Sequence, residues 1–292
     1  MLRMKVMTQL NGRQREEVRG LETICRESDK IQGGISLTAD EETGMLPTYF
    51  LCYEEELLAG FVILYAMPEK TAEICSYIHP QYRRRTMYKK LITAVIKELK
   101  QAGIEKGYYV FEPHESKDFD EITERGYFIY SHSEYLMEWK YSYQLLPTNA
   151  LALKPLAESE REAAAILLAG AFSMPQEEAE ERFAQICEKD GIYYAAWQKT
   201  EMVGLFALAE GEKTVYVFDF AVDGDHQGRG IGKALLKEII RLVQEKCAGG
   251  EEKKVRIQVG SRNETAFRLY QKNGFQVISQ RDYYRIDTEA KE

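Results

Sequence analysis

Residues 215–236 read VYVFDFAVDGDHQGRGIGKALL. The run from Val215 to Val222 is β-branched and aromatic, which suits a strand. Gly228, Gly230 and Gly232 follow within five residues, and Ile231, Leu235 and Leu236 then open an apolar helical spacing. The segment is therefore strand, glycine-rich turn, helix. A helix start leaves backbone N–H groups unpaired and carries the positive end of the helix dipole. Glycines let an anion come close to that backbone. Gln227, Gly228, Arg229, Gly230, Ile231 and Gly232 thus form a candidate pyrophosphate cradle, with Arg229 or Lys233 adding positive charge. A glycine-rich turn without a ligand fits the same residues. The pattern is neither GxGxxG nor GxxxxGK[ST], which speaks against dinucleotide and P-loop chemistry.

Downstream lie a strand, KVRIQVGS (254–261), and a helix, RNETAFRLYQKNGF (262–275). FAVDGDHQGRGIGKALL (220–236) resembles motif A of the GNAT acetyltransferases, and 262–275 resembles their motif B through Asn263, Ala266, Leu269–Tyr270 and Gly274–Phe275. The ending RDYYRID (281–287) is similar to GNATs related to the ribosomal-protein alanine acetyltransferases. The resemblance covers roughly residues 151–287. It implies acetyl-CoA as cosubstrate, no metal, and direct acetyl transfer to a primary amine on a small molecule or a peptide N-terminus. It implies that the backbone of Phe220, Ala221 and Val222 pairs with the pantetheine arm and polarises the thioester carbonyl. Asn263 touches the CoA arm in this reading. Tyr270 is the general acid that protonates the departing thiolate, as a phenol with pKa ~10 can at neutral pH.

The general base is less apparent. The ribosomal-protein relatives carry Glu five positions before the motif-B Asn, where this chain has Gln258. Asp219 is the candidate base, although strand alternation points it away from the site and a structural carboxylate fits equally. Tyr283 and Tyr284 are candidate walls of the amine pocket. His79, His114, His132 and His226 show no metal-ligand spacing, and His226 beside the turn reads as a loop residue.

The first half repeats the plan. Tyr49 and Tyr193, Gly60 and Gly204, and Arg83 and Gln227 each stand 144 residues apart. This predicts a mixed α/β fold made of two tandem GNAT domains, each a twisted central sheet flanked by helices. Pro147 and Asn149 interrupt the strand pattern, which sets the expected domains at 1–147 and 148–292. In ICSYIHPQYRRRTMYKKLI (74–92), Thr86 and Tyr88 replace Gly230 and Gly232, while at the offset of 148 that relates Gly126 to Gly274, Glu115 and Ile122 replace Asn263 and Tyr270. The first domain is therefore expected to be a degenerate, non-catalytic copy that completes the fold or walls a substrate cleft.

The bulk properties agree. In 292 residues the formal net charge is −8, which disfavours a nucleic-acid partner and favours cationic small molecules. Five cysteines without CxxC spacing suggest reduced thiols and a cytoplasmic protein. No run of 18 apolar residues or apolar leader appears, so no membrane association is expected. Two rival readings remain: a non-catalytic acyl-CoA-binding regulator, and a tandem transferase with another acyl donor. Oligomeric state is not legible.

Overall fold

The protein is described by a computed structural model over residues 2–30, 48–67, 70–83, 85–112, 128–140, 151–188, 191–246 and 253–286. The first half holds β1 (Leu2–Met7), α1 (Gly12–Asp29), β2 (Thr48–Glu54), β3 (Leu57–Met67), β4 (Thr71–Ile78), α2 (Arg85–Gln101), β5 (Lys106–Phe111) and β6 (Phe128–Trp139). The second half holds β7 (Ala152–Pro155), α3 (Arg161–Phe172), α4 (Gln176–Glu188), β8 (Ile192–Gln198), β9 (Glu201–Glu210), β10 (Thr214–Val222), α5 (Ile231–Lys246), β11 (Lys254–Gly260), α6 (Glu264–Lys272) and β12 (Phe275–Ile286). Among the described residues no helix is long and apolar enough to cross a membrane.

Two compact units form: Met1–Glu134 with Ser279–Glu292, and Tyr135–Ile278. The expected boundary near residue 147 lies outside the described residues. Each unit takes a strand segment from the other half of the sequence. The end of β12 pairs antiparallel with β5, from Asp282↔Phe111 to Arg285↔Tyr108. The end of β6 buries Met137 and Trp139 in the second unit's core, where Arg256 donates to Glu138 at 3.1 Å.

In the first unit β1 to β4 are successive antiparallel neighbours, and β5 returns parallel to β4 through α2. Neighbouring residues of β2 and β3 bury opposite faces. Tyr49, Leu51, Phe61 and Ile63 pack with Val18, Leu21 and Cys25 of α1, whereas Phe50, Cys52, Val62 and Leu64 pack with Met87, Leu91 and Val95 of α2. These strands are apolar on both faces because both faces carry a helix. The second unit repeats this arrangement from β7 to β11. Tyr193, Leu205 and Ala207 face Leu168 of α3 and Phe183 of α4. Tyr194, Phe206 and Leu208 face Leu235, Leu236 and Ile239 of α5.

The units differ in the strand that precedes the turn. In the first, the β3–β4 ladder runs unbroken from Gly60↔Ile78 to Met67↔Thr71. In the second, the β9–β10 ladder steps from Phe218↔Ala207 to Ala221↔Leu205, so Asp219 and Phe220 together oppose Phe206. Strand β10 carries a bulge of one inserted residue that β4 lacks. Asp219 has φ +47, a left-handed conformation unusual for a residue with Cβ.

Candidate active site

The bulge resets the alternation of β10. Val215 and Val217 lie on the α5 side of the sheet. Contrary to the expectation that alternation points Asp219 away from the site, regular alternation would send it to that same side, where Tyr270 lies, and only the bulge turns it away. Instead Asp219 meets Tyr193 and Arg182 on the α3–α4 side, and Phe220 turns to the α5 side. There the Phe220 ring meets the Tyr270 ring edge-on at 5.8 Å, and Tyr270 lies 5.9 Å from Phe275. A motif-A strand residue and a motif-B helix residue are thus in direct contact within one unit.

The parallel ladder between β10 and β11 runs from Thr214↔Lys254 to Val217↔Ile257. Beyond it, Phe218–Val222 form no described pair with β11. An extended acyl arm is the kind of ligand that can occupy such a strand edge.

The turn completes the site. After a single 3-10 turn, Gly224–His226, Gly228 and Gly230 take φ +71 and +82. A Cβ at either position would meet no atom within 4 Å, so the backbone there is open to an approaching anion. The amide of Ala234 donates to Gly230 O at 3.1 Å as α5 begins, which leaves the preceding first-turn N–H groups for a ligand. Gly232 has a different task. A Cβ there would lie 3.3 Å from Leu269 Cδ2, so its smallness lets α5 and α6 pack closely. Gln227 Nε2 donates to Val222 O at 3.1 Å and ties the turn to the end of β10. Arg229 is exposed.

His226 belongs to this turn. Its Nδ1 lies 2.8 Å from Asp223 Oδ2, and its Nε2 lies 3.4 Å from Glu201 Oε2. The hydrogen bond with Asp223 raises the imidazole pKa above its ordinary value. Asn263 caps α6, its side-chain oxygen accepting from the Ala266 amide at 3.0 Å. Its amide nitrogen has no partner among the hydrogen bonds of the described residues and can meet a ligand.

Tyr270 is 3% exposed, and burial pushes its phenol pKa upward. Among the described residues its hydroxyl has no hydrogen bond. Asp219 is fully engaged by comparison. Tyr193 Oη donates to Oδ2 at 2.5 Å, and Arg182 donates to Oδ1 at 3.2 Å. These partners lie 26 and 37 positions away, and no sequence motif announces them.

Tyr283 and Tyr284 belong to the first unit. Tyr283 stacks on His132 at 4.5 Å and donates to Glu134 Oε2 at 2.9 Å. Tyr284 packs edge-on to Tyr130 at 5.6 Å and against that unit's α2-side core. The Phe220–Tyr270 contact and these two tyrosines are therefore in different units.

The first unit's counterpart of the site is closed by side chains. Tyr88, at the position of Gly232, turns inward and meets Tyr109 at 6.2 Å. Ser76 and Tyr109 are hydrogen-bonded across β4 and β5 beyond their last pair, Ile74↔Tyr109. Arg83 is paired with Asp29, Nη1 donating to Oδ1 at 2.7 Å. Arg84, Glu115, Ile122 and the side chains of Arg85 and Thr86 lie outside the described residues. Among the described residues no three His, Cys, Asp or Glu side chains are grouped to hold a metal ion.

A sequence model of the acetyltransferase (GNAT) family matches residues 15–139 and again 160–275. A probable spermine N(1)-acetyltransferase of Bacillus subtilis subsp. natto (strain BEST195) is 33% identical over 99 residues, covering 32% of this chain and 62% of that one. The spermine/spermidine N(1)-acetyltransferase of Bacillus subtilis (strain 168) matches to the same extent. The chain thus spans less than two thirds of the length of these curated relatives. The crystal structure of a GCN5-related N-acetyltransferase from Sphaerobacter thermophilus is similar, with TM-score 0.78 at 16% identity over 98% of this chain and 96% of that one. A tandem GNAT protein from the clavulanic acid biosynthesis pathway gives TM-score 0.74 at 11% identity over the whole of both chains. At these identities the likeness is one of fold.

Proposed function

Because the chain belongs to the GNAT acetyltransferase family, we propose that its second unit transfers an acetyl group from acetyl-CoA to a primary amine. The observation that carries this reading is the contact between Phe220, on the bulged strand, and Tyr270 of α6, with Phe220 and Leu269 both lying against Gly232 at the end of the glycine turn. Acetyl-CoA supplies the acyl group already activated as a thioester. Gly228–Gly232 and the first turn of α5 hold its pyrophosphate, with Arg229 and the Asn263 amide as further contacts. The free edge of Phe220–Val222 pairs with its arm and directs a backbone N–H at the carbonyl oxygen, where charge develops. Tyr270, kept protonated by burial, gives its proton to the departing sulfur.

The acceptor in this reading is a cationic aliphatic amine. The spermine and spermidine acetyltransferases of Bacillus subtilis to which the chain is similar support that class. So does a net charge of −8, which concentrates cations around the protein. The free thiols of Cys25, Cys52 and Cys75 suit the reducing cytoplasm. The first unit is the non-catalytic copy, since its β4 has no bulge and its strand gap is bridged by Ser76 and Tyr109.

The test is thiol release from acetyl-CoA with spermine, spermidine, diamines, amino acids and peptide N-termini as acceptors, alongside calorimetry with CoA. Release with the cationic amines is expected. Binding without release from any amine would make the protein an acyl-CoA-binding module. Absence of binding would overturn the reading.

A further inference from the structure

The left-handed conformation at Asp219 requires an explanation, because its counterpart strand in the first unit does without it. The two ladders locate the inserted residue. Tyr65↔Glu73 corresponds to Ala209↔Tyr216, and Gly60↔Ile78 to Gly204↔Val222. From Glu73 to Ile78 is five steps, and from Tyr216 to Val222 is six. A residue with Cβ keeps a positive φ in mid-strand only when its surroundings hold it there. Here both carboxylate oxygens are held, one by Tyr193 and the other by Arg182. Arg182 is itself steadied, its other nitrogen 3.6 Å from Glu178 and its guanidinium 5.8 Å from the centre of the Phe172 ring. Every one of these contacts lies on the α3–α4 side, away from Phe220 and Tyr270.

We infer that Asp219 is a positioning residue, not the base: with Tyr193 and Arg182 it clamps the bulge that aims the Phe220–Ala221 backbone at the reacting carbonyl. The role rests on the acetyl-transfer reading. It assigns a purpose to a carboxylate whose oxygens are already occupied. It also explains why the first unit, with an unbroken β4, has no place for this group.

Four variants of the full chain test it: Asp219→Asn, Asp219→Ala, Asp219→Gly and Tyr193→Phe. Glycine adopts positive φ freely, whereas alanine does not. The clamp predicts that Asp219→Ala and Tyr193→Phe each lower kcat roughly 10–100-fold, the scale of a misplaced carbonyl donor, with KM for acetyl-CoA little changed. Asp219→Gly should keep more activity than Asp219→Ala. Combining Asp219→Asn with Tyr193→Phe should cost little more than either alone. The acidic limb of the pH–rate profile should stay in place in Asp219→Asn. Loss of that limb with full activity in Tyr193→Phe would make Asp219 the base and overturn the inference. Wild-type kcat in all four variants would reduce the clamp to a structural contact. If the wild-type protein releases no CoA with any amine, the acetyl-transfer reading fails separately. The clamp is then judged by the amide resonances of Phe220 and Ala221, which should shift in folded Tyr193→Phe and sink the idea if they do not.

Discussion

A phenol that is 3% exposed and makes no hydrogen bond within the described residues has little to lose when its hydroxyl is removed. Tyr270→Phe should therefore melt within a few degrees of the wild type. If the hydroxyl protonates the leaving sulfur, kcat should fall ~10²–10⁴-fold, while the Kd for CoA stays nearly constant. Unchanged turnover would leave Tyr270 a packing residue between Phe220 and Phe275. His226 ends the 3-10 turn before the glycines and gives a pH signature. Its hydrogen bond with Asp223 raises the folded-state pKa above that of an unfolded histidine, ~6.5. Its stabilising contribution is then complete below pH ~6.5 and disappears as pH rises through the higher folded value. Melting temperatures of wild type and His226→Asn should differ most near pH 6 and converge by pH 9. A constant difference would mean that the charge on His226 is irrelevant. At this scale the sequence was partly legible. Gly228 and Gly230 lie in a turn and Tyr270 on a helix, the elements that the sequence pattern implied. The partners of Asp219 did not declare themselves, because a contact across 26 or 37 positions leaves no local pattern.

The two parallel-strand crossovers were the most legible elements. Helices α2 and α5 bury the same register of apolar residues, Met87, Leu91, Ile92, Val95 and Leu99 against Ile231, Leu235, Leu236, Ile239 and Val243. Helical periodicity survives in sequence because each buried position must be apolar. The bulge in β10 was not legible, since VYVFDFAV is compatible with a regular strand. The insertion appears in the pairing with β9, where Asp219 and Phe220 together oppose Phe206. A similar limit applies to Tyr88, whose replacement of Gly232 is legible but whose inward turn onto Tyr109 is not. The glycine turn allows a clean separation of binding from folding. A valine at Gly230 has open space around its Cβ but must accept φ +82. Gly230→Val should raise the Kd for CoA at least ~10-fold and cost about 1–3 kcal/mol of stability from backbone strain. Equal CoA affinity by calorimetry would show that the phosphates lie elsewhere.

For the whole chain, the duplication and the mixed α/β class could be read from the 144-residue offset. The exchange of strand ends could not. Hydrophobic alternation in FQVISQRDYYRI gives a strand but not its partner, and its last residues pair with β5 of the first half. Removing residues 279–292 should therefore damage the unit at the opposite end of the sequence. The first unit would lose buried Tyr283 and Ile286, and β5 would lose its β12 partner. Burying one such side chain contributes about 1.5–3 kcal/mol, a large share of a domain's stability. The truncated chain should melt well below the full one, with hydrogen exchange faster in β5 while α5 stays protected. Unchanged protection of Tyr108–Phe111 would refute this dependence. The exchange also sets an order of events during synthesis. Elongating at ~5–20 residues per second, a ribosome needs roughly eight to thirty seconds to pass from residue 134 to residue 286. Until then β5 emerges with one edge unpaired, so the unit translated first is the unit finished last.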